Sequence, residues 1–401
     1  MNAKSRPGII QMKKVLVIIV ISQFFCTSLW FAGNAIMPDL IKELHLDPGY
    51  LAHITSVVQF GFISGTLVFA LGGIPDRFSP SLVFLISSLI AALFNAAVSF
   101  GAIPIAGILS FRFLTGFFLA GIYPVGMKIA ADYYQQSLGR SLGFLVGALV
   151  LGTSFPHLLK SITTALPWKY VIYCTSLLAV AGGIAIYLLV PDGPHRTQGI
   201  QPKAAAFLKG FKNKAFRAAA FGYFGHMWEL YAFWAFIPVV LAAYKTYHPG
   251  AGFDLSFLSF CVIASGSIGC IMGGWLSQSF GAKKVATIAL CISGICCLIS
   301  PLLLLTSTLP VLLVFLLTWG MSVTADSPLF SSLVAQNAPP AAKGASITIV
   351  TSIGFAITIV SIQLLNILID QIDPGYLYLF LAPGPVLGLL ALLKKNKRSN
   401  A

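Results

Sequence analysis

The sequence predicts an all-α integral membrane protein whose twelve transmembrane helices form two pseudo-symmetric six-helix bundles. Composition, the length of the apolar runs and a partial internal repeat carry this expectation. The 401 residues are 57% hydrophobic and only 9% charged, with a mean hydropathy of +0.89, whereas soluble domains are roughly half apolar and a quarter charged. The expected solvent is therefore a lipid bilayer.

Apolar windows between turn signals lie near residues 15–37, 51–73, 81–100, 105–130, 140–160 and 170–190, then near 217–243, 255–278, 285–306, 311–336, 345–369 and 375–393. Each is close to the ~20 residues that a helix needs to cross about 30 Å of hydrocarbon. Lys13 and Lys14 before the first window imitate a secretion signal. The apolar run that follows is too long for one and lacks a small-residue cleavage pattern, so it reads as a retained span. The expected organisation is an N-terminal bundle over 1–190, a basic linker over 191–216 and a C-terminal bundle over 217–401.

Of the 25 Lys and Arg, only Lys42, Lys160, Lys169 and Lys245 fall on one side, and Arg112 lies within a span; the others flank the opposite side. By the positive-inside rule that basic side is cytoplasmic, together with both termini, in a bacterial-type inner membrane. The net charge of +14 is then a topology signal and not a nucleic-acid footprint. Within the linker, Phe207 and Phe211 sit about one helical turn apart among lysines, consistent with a short surface helix or a solvated connector. The seven cysteines all lie in apolar runs with no CxxC or Cys/His ligand spacing, so they read as packed thiols, and no metal or cofactor is expected.

After the second span the chain reads Gly72-Gly73-Ile74-Pro75-Asp76-Arg77-Phe78, and after the eighth Gly274-Trp275-Leu276-Ser277-Gln278-Ser279-Phe280. A second correspondence pairs Gly116 with Gly320 and Pro124 with Pro328, at a separation of 204 residues. Such half-length copies occur in proteins built from repeated bundles around a midplane site. These residues resemble the major facilitator superfamily: Gly72-x-x-x-Asp76-Arg77 resembles its motif A, and Arg112-x-x-Thr115-Gly116 its motif B. Ser79, Pro80 and Ser81 replace the usual glycine and basic pair in the first copy of motif A, and Gln278 and Ser279 replace the acid and base in the second. The antiporter motif of drug exporters is missing from the fifth span, as is the nitrate-transporter glycine motif. The resemblance implies the major facilitator fold, with Gly72, Asp76 and Arg77 in a cytoplasmic gate and Arg112 linked to proton transfer.

Three firmly charged residues lie deep in spans: Arg112, Glu229 and Asp326. Each costs about 2.5–3.5 kcal/mol at a helix centre on insertion scales, which makes it a functional candidate by default. Glu229 sits roughly 18 Å along its helix from Arg217, with His226 and Gly222 on the same face. Glu229, Asp326 and His226 are the expected proton-coupling groups, the alternative being hydrogen bonds between helices. Pro328 leaves the helix after Asp326 a carbonyl to spare, which fits a site or a stabilised kink. Arg112, Trp30, Trp228 and Tyr123 are the expected substrate-binding residues, with Arg112 attracting an anion or instead forming a structural ion pair. Gln23, Asn34, Gln59, Asn95, Gln363 and Asn366 are further intramembrane polar residues, most readily explained by packing.

No GxxxxGK[ST], HExxH or GxSxG occurs, so neither ATP hydrolysis nor an intramembrane enzyme is expected. The expectation is a monomeric, proton-coupled symporter of a small organic anion or zwitterion, working by alternating access. An exporter of an aromatic or cationic compound and a non-transporting sensor or scaffold on the same fold are the alternatives.

Overall fold

The computed structural model describes residues 9–101, 103–134, 138–163, 166–196, 210–339 and 343–394, and is helical throughout its regular structure. Among the described residues the helices group into twelve successive crossings. Crossing 1 runs through Ile9–Thr27 and, after a break, Ala32–Ala35 and Met37–Leu44; crossings 2 and 3 are Tyr50–Leu71 and Pro80–Ala97. Crossing 4 is Ile105–Leu119 followed by Tyr123–Tyr133, and crossings 5 and 6 are Leu138–Ile162 and Lys169–Leu189. Crossings 7, 8 and 9 are Lys214–Tyr247, Leu255–Phe280 and Ala282–Thr306. Crossing 10 is Leu309–Ala325 followed by Ser327–Asn337, crossing 11 is Lys343–Leu368, and crossing 12 joins the 3-10 turn Pro374–Leu381 to Pro383–Leu393.

Eleven crossings are long and apolar enough to span a bilayer, while the unbroken apolar helix of crossing 1 is the shorter Lys14–Thr27. The first window reads in sequence as one helix to residue 37, but it breaks at Ser28–Phe31 without a proline. Side chains compete for its carbonyls there: Thr27 Oγ1 donates to Gln23 O at 2.8 Å and Ser28 Oγ to Phe25 O at 2.6 Å. Crossing 7 begins inside the stretch assigned to the linker. Phe207 of the expected surface helix lies outside the described residues, and Phe211 occupies a turn with its ring edge-on to Phe216.

Helices in lipid gain nothing from hiding apolar surface from one another, so close backbone approach must hold them together. Crossings 2 and 4 show how. A Cβ on Gly116 would stand 2.1 Å from Val58 O, and one on Gly65 2.1 Å from Phe117 O. Crossings 8 and 10 repeat both contacts at the 204-residue separation: Gly320 would meet Val262 O at 2.3 Å and Gly269 would meet Met321 O at 2.1 Å. Gly61 would strike Phe113 O at 2.0 Å, and at the equivalent position Ser265 Oγ donates to Leu317 O at 3.1 Å. The two halves therefore share a packing scheme as well as a sequence trace.

The halves meet chiefly along two helix pairs. Crossings 5 and 8 lie close enough for Ser267 Oγ to donate to Gly147 O at 2.8 Å. Crossings 2 and 11 meet at the end of the molecule remote from the basic loops, where Gln363 Nε2 donates to Ser56 Oγ at 2.8 Å.

Gly116→Val and Gly320→Val should each destabilise the protein by about 1–3 kcal/mol through overpacking, lowering its thermal unfolding midpoint in detergent. Gly250→Ala, with open space around it, should not. Equal midpoints for all three variants would remove backbone approach as the organising contact.

Candidate functional site

A cavity of about 1000 Å³ lies between the two halves. Its wall includes Thr66 and Phe69 of crossing 2, Tyr123 of crossing 4, Tyr231 and Trp234 of crossing 7 and Thr351 of crossing 11, and reaches Asp76, Gln278 and Gly344 at the basic face. It therefore opens toward the basic face. At the far end Trp30 closes it, stacked on Phe355 at 5.7 Å and packed against Tyr231 at 5.8 Å and Phe62 at 4.8 Å. These contacts join crossings 1 and 2 to crossings 7 and 11, so this aromatic plug and the Ser56–Gln363 bond seal the opposite face.

The buried charges do not form one site. Arg112 is fully buried in the N-terminal half and does not line the cavity. Its Nη2 donates to Leu29 O at 2.8 Å and to Trp30 O at 2.7 Å, the two carbonyls released by the break in crossing 1. Its Nη1 donates to Asn95 Oδ1 at 2.7 Å, and Asn95 Nδ2 donates in turn to Thr175 and Ser176 of crossing 6. Gly33 leaves the room: a Cβ there would lie 3.1 Å from Arg112 Nε. Among the described residues no carboxylate pairs with Arg112. The planar guanidinium thus pins crossing 1 to crossings 3 and 4 with three charge-assisted hydrogen bonds.

In the C-terminal half, His226, Glu229 and Asp326 are also fully buried. Glu229 accepts from Trp319 Nε1 at 2.6 Å and from Ser293 Oγ at 2.9 Å, linking crossing 7 to crossings 10 and 9. His226 Nδ1 lies 2.9 Å from Asp326 Oδ1, out of line for a good hydrogen bond, and among the described residues neither side chain has another hydrogen-bond partner. Asp326 is the joint of crossing 10, its carbonyl accepting from Leu329 N and Phe330 N. The polar stripe on crossing 7 therefore faces into its own bundle. Its neighbours Met227, Leu230, Thr324 and Ser327 form the cavity wall, which places the titratable groups one layer behind it.

Of the residues expected to bind substrate, Tyr123 lines the cavity and Trp30 closes its apex. Trp228 is held against crossing 12, its Nε1 donating to Phe380 O at 3.1 Å, outside the cavity wall. At the mouth, Asp76 pairs with Lys128 of crossing 4 at 2.7 Å, while Arg77 is exposed. Gly72 precedes the left-handed Gly73 (φ 59°) that turns the chain. Ser79, the departure from motif A, donates to Asp192 Oδ1 at 2.8 Å, and Asp192 pairs with Arg196, which holds Phe78 O. These motif A contacts stay within the N-terminal half. The other polar candidates are mostly packing groups: Asn34 bonds Thr55, Gln59 bonds Trp30, Asn95 bonds Arg112, and Gln363 bonds Ser56.

Sequence reading missed Lys128 as the partner of Asp76, and missed Tyr223, Tyr231 and Trp234 as cavity wall. Their signal was the aromatic density of residues 223–236, which helical spacing alone distributes around every face.

Two helical bundles enclosing a cavity that opens to one face define a multi-pass membrane carrier. The Major Facilitator Superfamily model matches residues 19–362, and the chain belongs to that superfamily, whose members are secondary transporters of small molecules and not enzymes. No curated protein matches its sequence. Solved structures show the fold. The human organic anion transporter MFSD10 (TETRAN) aligns with a TM-score of 0.72 at 14% identity, over 95% of this chain and 99% of that one. The proton:xylose symporter XylE aligns with a TM-score of 0.73 at 13% identity, over 94% of each chain. A variant of the nucleoside transporter NupG aligns with a TM-score of 0.72 at 14% identity, over 94% of this chain and 98% of that one.

Arg112→Gln should strand at least one of the carbonyls of Leu29 and Trp30, a loss of at least about 2 kcal/mol. Arg112→Lys, which cannot fork across three acceptors, should recover only part of it. Thermal unfolding of the purified variants reads this directly; wild-type stability in Arg112→Gln would show that the break in crossing 1 does not depend on the guanidinium.

Proposed function

We propose that the protein is a proton-coupled carrier that exposes the central cavity alternately to the two faces of the membrane, with the basic face cytoplasmic. The observation that supports this best is the asymmetry of closure. The far face is shut by contacts between opposite halves, namely Trp30 with Phe355 and Tyr231, and Ser56 with Gln363. At the basic face the gate residue Asp76 is bonded to Lys128 of its own half. Closing that face and opening the other requires exchange of these contacts while the glycine-packed halves stay intact.

Proton coupling is assigned to Asp326 with His226, and to Glu229. Asp326 sits at the joint of crossing 10, so a change in its charge alters its contact with His226 of crossing 7. Glu229 ties crossing 7 to crossings 9 and 10. A proton on either carboxyl changes how these helices are held together behind the cavity wall. The anion expectation weakens on the same geometry: Arg112 spends both terminal nitrogens on protein acceptors, and the one basic residue among the described residues of the cavity wall, Lys128, is paired with Asp76 at the mouth.

In a background free of other cysteines, Ser56→Cys with Gln363→Cys should form a disulfide that holds the far face shut. Solute counterflow in proteoliposomes should then stop and return on reduction; undiminished counterflow in the bridged protein would rule out alternating access through this interface. Glu229→Gln and Asp326→Asn should keep exchange, with at least one losing accumulation driven by a pH gradient. Full accumulation in both would remove them as coupling groups.

A further inference from the structure

The apex of the cavity differs from its mouth in chemistry. Among the described residues, the charged residues of the cavity wall are Asp76, Lys128 and Asp132, all toward the basic face. The apex is made by Tyr231, Trp234 and Phe355, with Tyr123 and Tyr223 below them. Tyr231 lies edge-on to Trp234 at 5.1 Å and tilted on Phe355 at 5.2 Å, so the walls are aromatic faces. The indole N–H of Trp234 is buried and has no hydrogen-bond partner among the described residues, which is unusual for a tryptophan in a protein interior.

Among the described residues, a charged solute at this apex meets no free counter-charge. Arg112 is bound to the crossing 1 carbonyls and Asn95, and Glu229 faces Trp319 and Ser293 in its own bundle. Asp326 is in contact with His226. Carrying a bare charge into so apolar a chamber is strongly unfavourable, whereas a flat neutral molecule gains ring contact on several sides and supplies the acceptor that the Trp234 N–H lacks.

We propose that the apex binds an uncharged, planar solute carrying a hydrogen-bond acceptor, seated among Tyr231, Trp234 and Phe355 with the Trp234 indole N–H as its donor. This assignment rests on the carrier reading, because it names the class of solute that the central cavity takes. It also divides the labour of transport: the solute brings no charge, and the proton on the buried carboxyls supplies the electrical coupling.

Three probes of nearly equal shape test it on the purified full-length protein at pH 7: indole-3-acetamide, indole-3-acetate and tryptamine. Equilibrium binding and thermal stabilisation should favour the neutral amide over both charged probes by at least about tenfold, a difference of 1.4 kcal/mol. Trp234→Phe keeps an aromatic ring and removes the donor, so it should weaken amide binding by about three- to tenfold, measured at a temperature where the probe-free variant is fully folded. Tyr231→Leu, which removes one aromatic wall, should weaken it further. Equal or tighter binding of either charged probe, no binding of the amide, or wild-type amide affinity in Trp234→Phe would each overturn the proposal. Counterflow separates it from the carrier reading. Selective amide binding without counterflow of labelled amide refutes the carrier and leaves the site standing, while counterflow of the charged probes in preference to the amide refutes the site and leaves the carrier standing.

Discussion

Backbone-to-backbone approach at glycine is the contact on which the rest of this molecule depends. In water, apolar helix faces associate to escape solvent; in lipid that drive is gone, and association rests on close packing and hydrogen bonds. Gly65 and Gly116 between crossings 2 and 4, and Gly269 and Gly320 between crossings 8 and 10, lie where a single methyl group would collide with a carbonyl of the neighbouring helix. Two rigid bundles result. Because each bundle holds itself together, the surface between them is free to carry a cavity and to rearrange.

The repeat copies this scaffold but not the chemistry built on it. At the same 204-residue separation, Arg112 corresponds to Leu316 and Glu229 to Phe25. Each half thus stabilises its interior differently. The N-terminal half uses one guanidinium to satisfy a broken helix, and the C-terminal half uses two carboxyls and a histidine that share helix joints. A guanidinium that stays charged suits a permanent anchor, whereas carboxyl and imidazole groups can change charge and suit a step in a cycle.

The helix breaks connect scaffold and site. Crossings 4 and 10 break at equivalent places, just before Pro124 and Pro328. Beyond each break the helix turns its side chains to the cavity, Tyr123 and Lys128 in one half and Ser327 and Ser331 in the other. Irregular backbone is tolerated at this depth only where protein or a polar cavity satisfies it. Asp326 O meets that need locally by accepting two backbone N–H groups, and the Ser28–Phe31 break of crossing 1, which contains no proline, meets it through Arg112.

Apolar length and charge placement determined twelve crossings and a basic face, because every residue in a span must match the same solvent and that constraint is local. The equivalence of Gly116 with Gly320 and of Pro124 with Pro328 was also legible, since close packing and helix breaking each demand one residue type. The rarity of Arg112, Glu229 and Asp326 marked them as consequential, but not what each one faces. A helical stripe such as Gly222, His226 and Glu229 fixes which residues share a side and says nothing of its neighbour. Only the tertiary structure decided that Glu229 looks inward to Trp319 and Ser293, that Arg112 binds carbonyls and not a carboxylate, and that Trp234, unremarkable among many aromatics, stands at the apex with a donor that has no partner among the described residues. Those outcomes depend on how distant helices are rotated against one another, and contacts between residues such as Glu229 and Trp319, ninety positions apart, are not encoded in any local spacing.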